Sequence, residues 1–176
     1  PMFRYERPQA GRYRQFHQWD FDIIGDTDAW YDVQIILVTI ALLGALQIKG
    51  LCLKINTVGC RVCRPSYRKK LITYYKKIQK RLCEDCNRRL DQNPLRLLDC
   101  KNESCIKEKE GAPTILNHLC QSCNAHFKGV LELIEESEID YEPDPFLVRG
   151  LDYYNKTVFE IVAKDNMHFA FAGGGR

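Results

Sequence analysis

The chain has 176 residues, a net charge of +3, 28% charged residues and 45% hydrophobic ones. That balance agrees with a soluble, cytoplasmic piece, and these residues show no basic stretch followed by an apolar one of the kind that marks a secretion signal.

In chain order, the first predicted element is a polar hairpin. Phe3 to Glu6 alternates in polarity, Pro8 and Gly11 punctuate, and Tyr13 to Ile24 alternates again, which predicts two strands and a basic loop. Successive strand side chains point to opposite faces, so Arg4 and Glu6 share one side, as do Phe16, Gln18, Asp20 and Asp22. Such a face reads either as the solvated side of an antiparallel sheet or as a site for an anionic, planar, hydrogen-bonding ligand. The mixture of both charge signs, one aromatic plate and one amide favours the ligand. His17 falls on the face opposite Gln18 and reads as a structural neighbour.

Val33 to Ile48 carries no charge. It is shorter than the roughly 18 to 20 residues of a spanning helix, so it reads as a helix buried on a sheet and not as a membrane segment. Asp26, Thr27 and Asp28 offer N-terminal caps, and Gly50 is the predicted stop. Leu51 to Asn56 reads as a strand.

Cysteine then dominates. Eight of the nine fall in the pairs Cys60/Cys63, Cys83/Cys86, Cys100/Cys105 and Cys120/Cys123. In a reducing compartment, close thiol pairs suit metal ligands better than disulfides. Two Cys-x2-Cys turns separated by nineteen residues, Cys60, Cys63, Cys83 and Cys86, are the layout of a tetrahedral zinc site, with Cys100, Cys105, Cys120 and Cys123 as a second candidate set. Pairing among the four turns is not fixed by spacing, and His118 or His126 can replace a cysteine. The competing reading is small core residues without metal. Four thiolates leave no open position, so the zinc expected here is structural.

Between the pairs, Tyr67, Leu71, Tyr74, Tyr75, Ile78 and Leu82 recur at helix spacing, as do Phe127, Val130, Leu131 and Ile134. Basic residues crowd the first half, from Arg61 and Arg64 through Lys80, Arg81, Arg88 and Arg89; acidic ones gather from Glu132 to Asp144. The basic run is either a solvated helix face or a contact for a nucleic-acid backbone. Asp140 to Pro145, with two prolines, reads as a return linker.

Leu147 and Val148 open an extended run that Gly150 interrupts and that continues through Thr157 to Val162. A strand that buries Arg149 must set its guanidinium against an anion, either a ligand phosphate or carboxylate or an internal partner such as Asp152.

Several of these stretches resemble histidyl-tRNA synthetase, a class II aminoacyl-tRNA synthetase family. Phe3 to Gln18 is similar to the family's motif 2, Arg149 to Tyr154 (RGLDYY) to its first histidine-specific motif, and Ala172 to Arg176 to the start of its second. Asn93 to Lys101 also has the family's look. The resemblance implies an α+β fold: a class II antiparallel sheet with packed helices, interrupted by a small helical, cysteine-rich inserted domain. Residues 1–58 and 146–176 would be a partial catalytic domain and 59–145 the insertion, near the tRNA acceptor stem. Motif 1, motif 3 and the anticodon-binding domain would lie outside the chain, which implies a piece with little or no activity alone.

The implied reaction is attack of the histidine carboxylate on the α-phosphate of ATP, bound with Mg²⁺, and transfer of histidine to its tRNA. The parent enzyme would be a homodimer, with no membrane partner. By resemblance, Arg4 holds the α-phosphate, Phe16 stacks on adenine, Glu6 sits at the adenine edge and Arg12 near the outer phosphates. Arg149 is the implied catalytic arginine. Gln18, Asp22, Tyr153, Tyr154, Gly173 and Gly174 would bind histidine, with Asp22 a departure from the family's usual glutamate that puts direct contact in doubt. The alternative is a regulatory paralogue of histidine biosynthesis without aminoacylation activity, a group expected to lack the arginine–tyrosine motif and the insertion.

Overall fold

The computed structural model describes residues 1–5, 8, 12–150, 153–164 and 166–176, with the backbone alone for 166–169. Two short strands, β1 (Met2–Phe3) and β2 (Gln15–Phe16), pair antiparallel and form a separate two-stranded ribbon. Helix α1 (Ala29–Ala45) follows, then β3 (Leu51–Thr57). Helices α2 (Cys63–Lys77), α3 (Glu84–Gln92), α4 (Glu103–Lys109) and α5 (Gln121–Glu136) fill the middle, and β4 (Tyr141–Pro143), β5 (Thr157–Ala163) and β6 (Asn166–Gly175) complete the chain. The main sheet has the order β4-β3-β5-β6.

The hairpin is shorter than predicted. Its second strand is Gln15–Phe16 and not Tyr13 to Ile24, and no strand is found among residues 17–28. Polarity alternation without a second sheet edge to pair with leaves backbone groups to solvent, and this stretch is exposed throughout.

Helix α1 starts where predicted, with the Asp28 carboxylate accepting the Trp30 N–H at 2.8 Å. Its end differs. Ile48 N–H bonds Leu43 O (3.0 Å) and Gln47 N–H bonds Gly44 O (2.8 Å), a Schellman closure that places Gln47 at φ 60°, while Gly50 (φ 67°) turns the chain into β3. A non-glycine residue in the left-handed region costs roughly 1–2 kcal/mol, partly offset by the lower unfolded-chain entropy it brings. Gln47→Gly is therefore expected to stabilise the fold by about 0.5–1 kcal/mol, seen as a higher denaturant midpoint at unchanged slope. Among the described residues, no helix is long and apolar enough to cross a membrane.

The sheet is mixed. β3 and β5 pair antiparallel from Leu51↔Ala163 to Thr57↔Thr157, but β4 runs parallel to β3. Thus the predicted linker Asp140 to Pro145 contains a strand. Pro143 is tolerated there because β4 lies at the sheet's edge, where a missing N–H breaks no ladder.

One sheet face is core. Leu53, Ile55, Phe159 and Ile161 are buried with Val33, Ile36 and Leu43 of α1 and with Phe127, Val130 and Ile134 of α5. Helix α5 therefore starts among the cysteines and ends in the core of the sheet, so the sheet's own layer reaches into residues assigned to the insertion. A second core holds Tyr67, Leu71 and Tyr75 of α2, Leu90 of α3, Leu97 and Leu98, and four of the cysteines. The i, i+4 recurrence of Cys63, Tyr67, Leu71 and Tyr75 gives α2 one buried stripe, and its lysines and arginines take the other side.

A polar node ties α1, α5 and the sheet together. Asp32 of α1 accepts from Thr157 Oγ1 at 2.5 Å and from Arg176 Nε at 2.9 Å, and pairs with His126 Nε2 of α5 at 2.8 Å. Arg176 also donates to the carbonyls of Asp26 (3.1 Å) and Asp28 (2.6 Å). Burial alone would raise the Asp32 carboxyl, but the hydrogen bonds from His126, Thr157 and Arg176 and the arginine's charge outweigh it and hold the group below its ordinary range.

Candidate active site

The other sheet face carries polar groups. Lys54 and Glu160 are direct partners across β3 and β5, and Gly173 is the partner of Glu160 on β6. Onto this patch comes Arg149, whose Nη1 donates to Glu160 Oε1 at 2.5 Å. The partner is Glu160; Asp152 lies outside the described residues. Arg149 does not sit on a strand, contrary to the sequence reading. The free edge of β3 is taken by β4, so residues 147–150 run as a loop, braced by Asn56 Nδ2 donating to Leu147 O (2.9 Å) and by Leu147 N–H bonding Asp144 O (2.9 Å).

Two adjacent glycines have different tasks. A Cβ at Gly173 would lie 2.6 Å from Arg149 Nη1, whereas one at Gly174 would meet the Phe159 ring at 3.1 Å on the core side. Gly173 thus gives the guanidinium its seat on the sheet, and Gly174 makes room for a core ring; of the two expected histidine contacts, only Gly173 adjoins the polar patch. Gly173→Ala is expected to displace Arg149 from this seat with little loss of stability. Gly174→Ala should instead cost about 1–3 kcal/mol through overpacking. Thermal melts and crystal structures of both variants separate the two effects.

Tyr153 and Tyr154 pack ring to ring, centroids 4.7 Å apart, with Tyr153 72% exposed. Its hydroxyl is pushed up by its hydrogen bond to Tyr154, with burial and the charge of Asp22 adding and Arg149 opposing, so Asp22 and Arg149 both lie within electrostatic reach. The segment is held by Arg64 of α2, which donates to the carbonyls of Tyr154 and of Val58 (3.2 Å for the latter). Arg64 was counted with the basic run; it braces the tyrosines instead.

In the ribbon, the Arg4 guanidinium stacks on Phe16, 3.7 Å from the ring centroid, as a diagonal pair across the two strands. The arginine expected to hold phosphate and the ring expected to stack on a base are therefore together. Gln18 donates from Nε2 to Asp20 Oδ1 (2.6 Å) and is exposed, as is Asp22. Glu6 lies outside the described residues. Arg12 lines, with Arg149 and Glu160, a cleft of about 960 Å³ whose other lining residues mix Arg89, Arg96 and Lys101 with Glu84, Asp85 and Asp99. The sequence reading missed Glu160. The signal for Glu160 was present: it is the lone charge in the strand Thr157–Ala163.

The cysteines converge, but not as the spacing suggested. Cys60 and Cys63 meet Cys120 and Cys123, while Cys83 and Cys86 meet Cys100 and Cys105; within each set all four sulfurs lie within 4.8 Å of one another. The set Cys60, Cys63, Cys83 and Cys86 is thus replaced by a nested arrangement, because α2 carries the chain from one cluster to the other. Neither histidine joins: His118 packs against Tyr67 (5.8 Å between ring centroids), and His126 pairs with Asp32. Cys60 is brought down to about 6, since N–H donors from Cys63 and Val62 and the thiols of Cys123 and Cys63 outweigh burial. Burial and neighbouring thiols push the buried Cys86 and Cys123 up.

No protein-family model matches the chain. Across its entire length it is 47% identical to a histidine–tRNA ligase of Desulfitobacterium hafniense. From end to end the chain is homologous to histidine–tRNA ligases. It spans 42% of that ligase's length. Among solved structures it resembles the apo histidyl-tRNA synthetase of S. aureus, with a TM-score of 0.63 and 29% identity over 86% of this chain and 37% of that one. A Bacillus halodurans protein described as an ATP phosphoribosyltransferase regulatory subunit/histidyl-tRNA synthetase has the same fold, at a TM-score of 0.54 and 21% identity over 87% of this chain and 44% of that one. The α+β fold of the histidine–tRNA ligases is therefore the fold of this chain, which carries the cysteine clusters within it.

Proposed function

We propose that the protein to which this chain belongs activates histidine with ATP and transfers it to its tRNA. One observation carries the reading: Arg149 is seated on Gly173 and tethered to Glu160 at the floor of a cleft that Arg12 also lines, in a chain homologous to histidine–tRNA ligases. Adenylate formation builds negative charge on the α-phosphate, and preorganised cations aimed at that charge are the strongest lever a protein has. Among the described residues the Arg149 Nε has no hydrogen-bond partner, while Glu160 fixes the other side of the guanidinium, an arrangement that suits charge-assisted recognition of an anion.

In this reading Arg4 and Phe16 take the nucleotide, the ring stacking on the base and the guanidinium moving onto phosphate. Arg12 steadies the outer phosphates, and Gln18, Asp22, Tyr153 and Tyr154 orient histidine. Mg²⁺ bound with ATP supplies further charge neutralisation. Hydrogen bonding to the imidazole explains selectivity, since analogues without those nitrogens leave polar groups unpaired. The exposed lysines Lys76, Lys77 and Lys80, with Arg81, line a second depression on the insertion and suit a tRNA phosphate backbone. Homodimerisation and a cytoplasmic location belong to the same reading.

The test is ATP–pyrophosphate exchange by the full-length protein with each amino acid in turn. Exchange with histidine alone is the expected result. A folded protein that exchanges with none would sink the proposal.

A further inference from the structure

The eight clustered thiols have no part in the reaction above, and their geometry is more specific than that of buried core cysteines. A zinc ion with bonds of about 2.3 Å to four sulfurs in a tetrahedron sets those sulfurs roughly 3.8 Å apart. Cys60 and Cys63 are 3.6 Å apart, Cys60 and Cys120 are 3.8 Å, and Cys83 and Cys100 are 3.8 Å. A disulfide needs about 2.05 Å, and all nine cysteines are free. A multi-iron cluster would hold its ligand sulfurs farther apart than the 4.8 Å limit that each set observes.

Backbone donors point the same way. The N–H of Val62 donates to Cys60 Sγ (3.3 Å) and that of Cys120 to Cys63 Sγ (3.1 Å). In the other cluster, the N–H groups of Cys86, Asn102 and Cys83 reach Cys83 (3.4 Å), Cys100 (3.5 Å) and Cys105 (3.3 Å) sulfurs. A thiol is a weak acceptor, so amide groups gathered on sulfur suit thiolates, and four thiolates together require a cation.

We infer that the chain binds two zinc ions in nested tetrathiolate centres, an outer one of Cys60, Cys63, Cys120 and Cys123 and an inner one of Cys83, Cys86, Cys100 and Cys105. Their tasks differ. The outer ligands sit where the chain leaves β3 and where α5 begins its return to the core, so this ion fastens the insertion to the sheet. The adjoining chain is pinned there as well: Val58 N–H bonds Lys156 O (2.7 Å), Lys156 N–H bonds Gly59 O (3.0 Å), and Gly59 at φ 64° leaves no room for a Cβ beside Cys63. The inner centre joins α3 to α4 within the insertion, and its Cys83 and Cys100 line the cleft beside Arg89, Arg96 and Lys101.

The inference does not depend on the enzymatic reading, and its test reads metal, not catalysis. Full-length protein purified without chelator is assayed for metal by mass spectrometry and for zinc coordination by X-ray absorption. Two zinc ions per chain in an all-sulfur shell are expected. Cys60→Ser with Cys123→Ser should remove one ion, and Cys60→Ser with Cys86→Ser should remove both. The opposite pattern would overturn the nesting. Less than one zinc per chain, iron in its place, or an oxygen- and nitrogen-rich shell would overturn the centres themselves, whether or not the variants fold.

Discussion

In the proposed reaction, Arg149→Ala of the full-length protein is expected to abolish histidine-dependent pyrophosphate exchange, with a loss of about 10³-fold or more, while histidine binding is retained. The guanidinium is held between Glu160 and the Gly173 backbone, so its position is fixed before substrate arrives. A preorganised cation acts on the developing charge and hardly on the ground state, which is why the loss should fall on kcat. Glu160→Gln tests the tether by itself: the charge of Arg149 stays but its anchor weakens, and a smaller fall in kcat is expected. Unchanged exchange in Arg149→Ala would mean that the arginine is only a structural partner of Glu160.

Asp32→Ala should be the most destabilising substitution of a single charged residue here, at about 3–5 kcal/mol. Its side chain is 8% exposed and engages His126, Thr157 and Arg176, so removal takes the carboxylate partner from a half-buried guanidinium and from a buried imidazole. The same carboxylate sets a pH dependence. Its value in the fold is depressed, so its stabilisation is complete above the unfolded value of about 4 and is lost as pH falls through the folded one. Acid unfolding of wild type should therefore steepen below roughly pH 4, and Asp32→Asn, less stable at neutral pH, should show a flatter profile there. Equal acid sensitivity of the two proteins would remove Asp32 from the account.

Local signals were legible in the sequence and long-range ones were not. Helix α1 and its Asp28 cap follow from periodicity and one side-chain oxygen, both contained within a few residues. The buried stripe of α2 follows from i, i+4 spacing for the same reason. That eight cysteines serve a common end was visible from their pairs. Which pair meets which depends on where α2 ends and α5 begins, and no local spacing encodes that. Strand β4 escaped because two prolines within six residues read as linker, although an edge position absorbs the one proline it contains. Arg149 was read as a strand residue because Leu147 and Val148 favour extended backbone, yet β4 already takes the edge of β3. The node around Asp32 gathers residues 32, 126, 157 and 176 and has no signature in any one stretch.

The nesting of the cysteine sets also dictates an order of events during synthesis. The inner set is complete once residue 105 has left the ribosome, whereas Cys60 and Cys63 must wait for Cys120 and Cys123. Strand β3 waits longer still, since its partners β4 and β5 follow α5 in the chain. The insertion can thus assemble as a closed unit while β3 still lacks both of its partners. Closing the outer set then carries the end of β3 to the start of α5, which shortens the loop that the later strands must close to find it. An insertion placed in mid-sheet would ordinarily delay folding of its host; stapled at its base, it becomes the part on which the host is built.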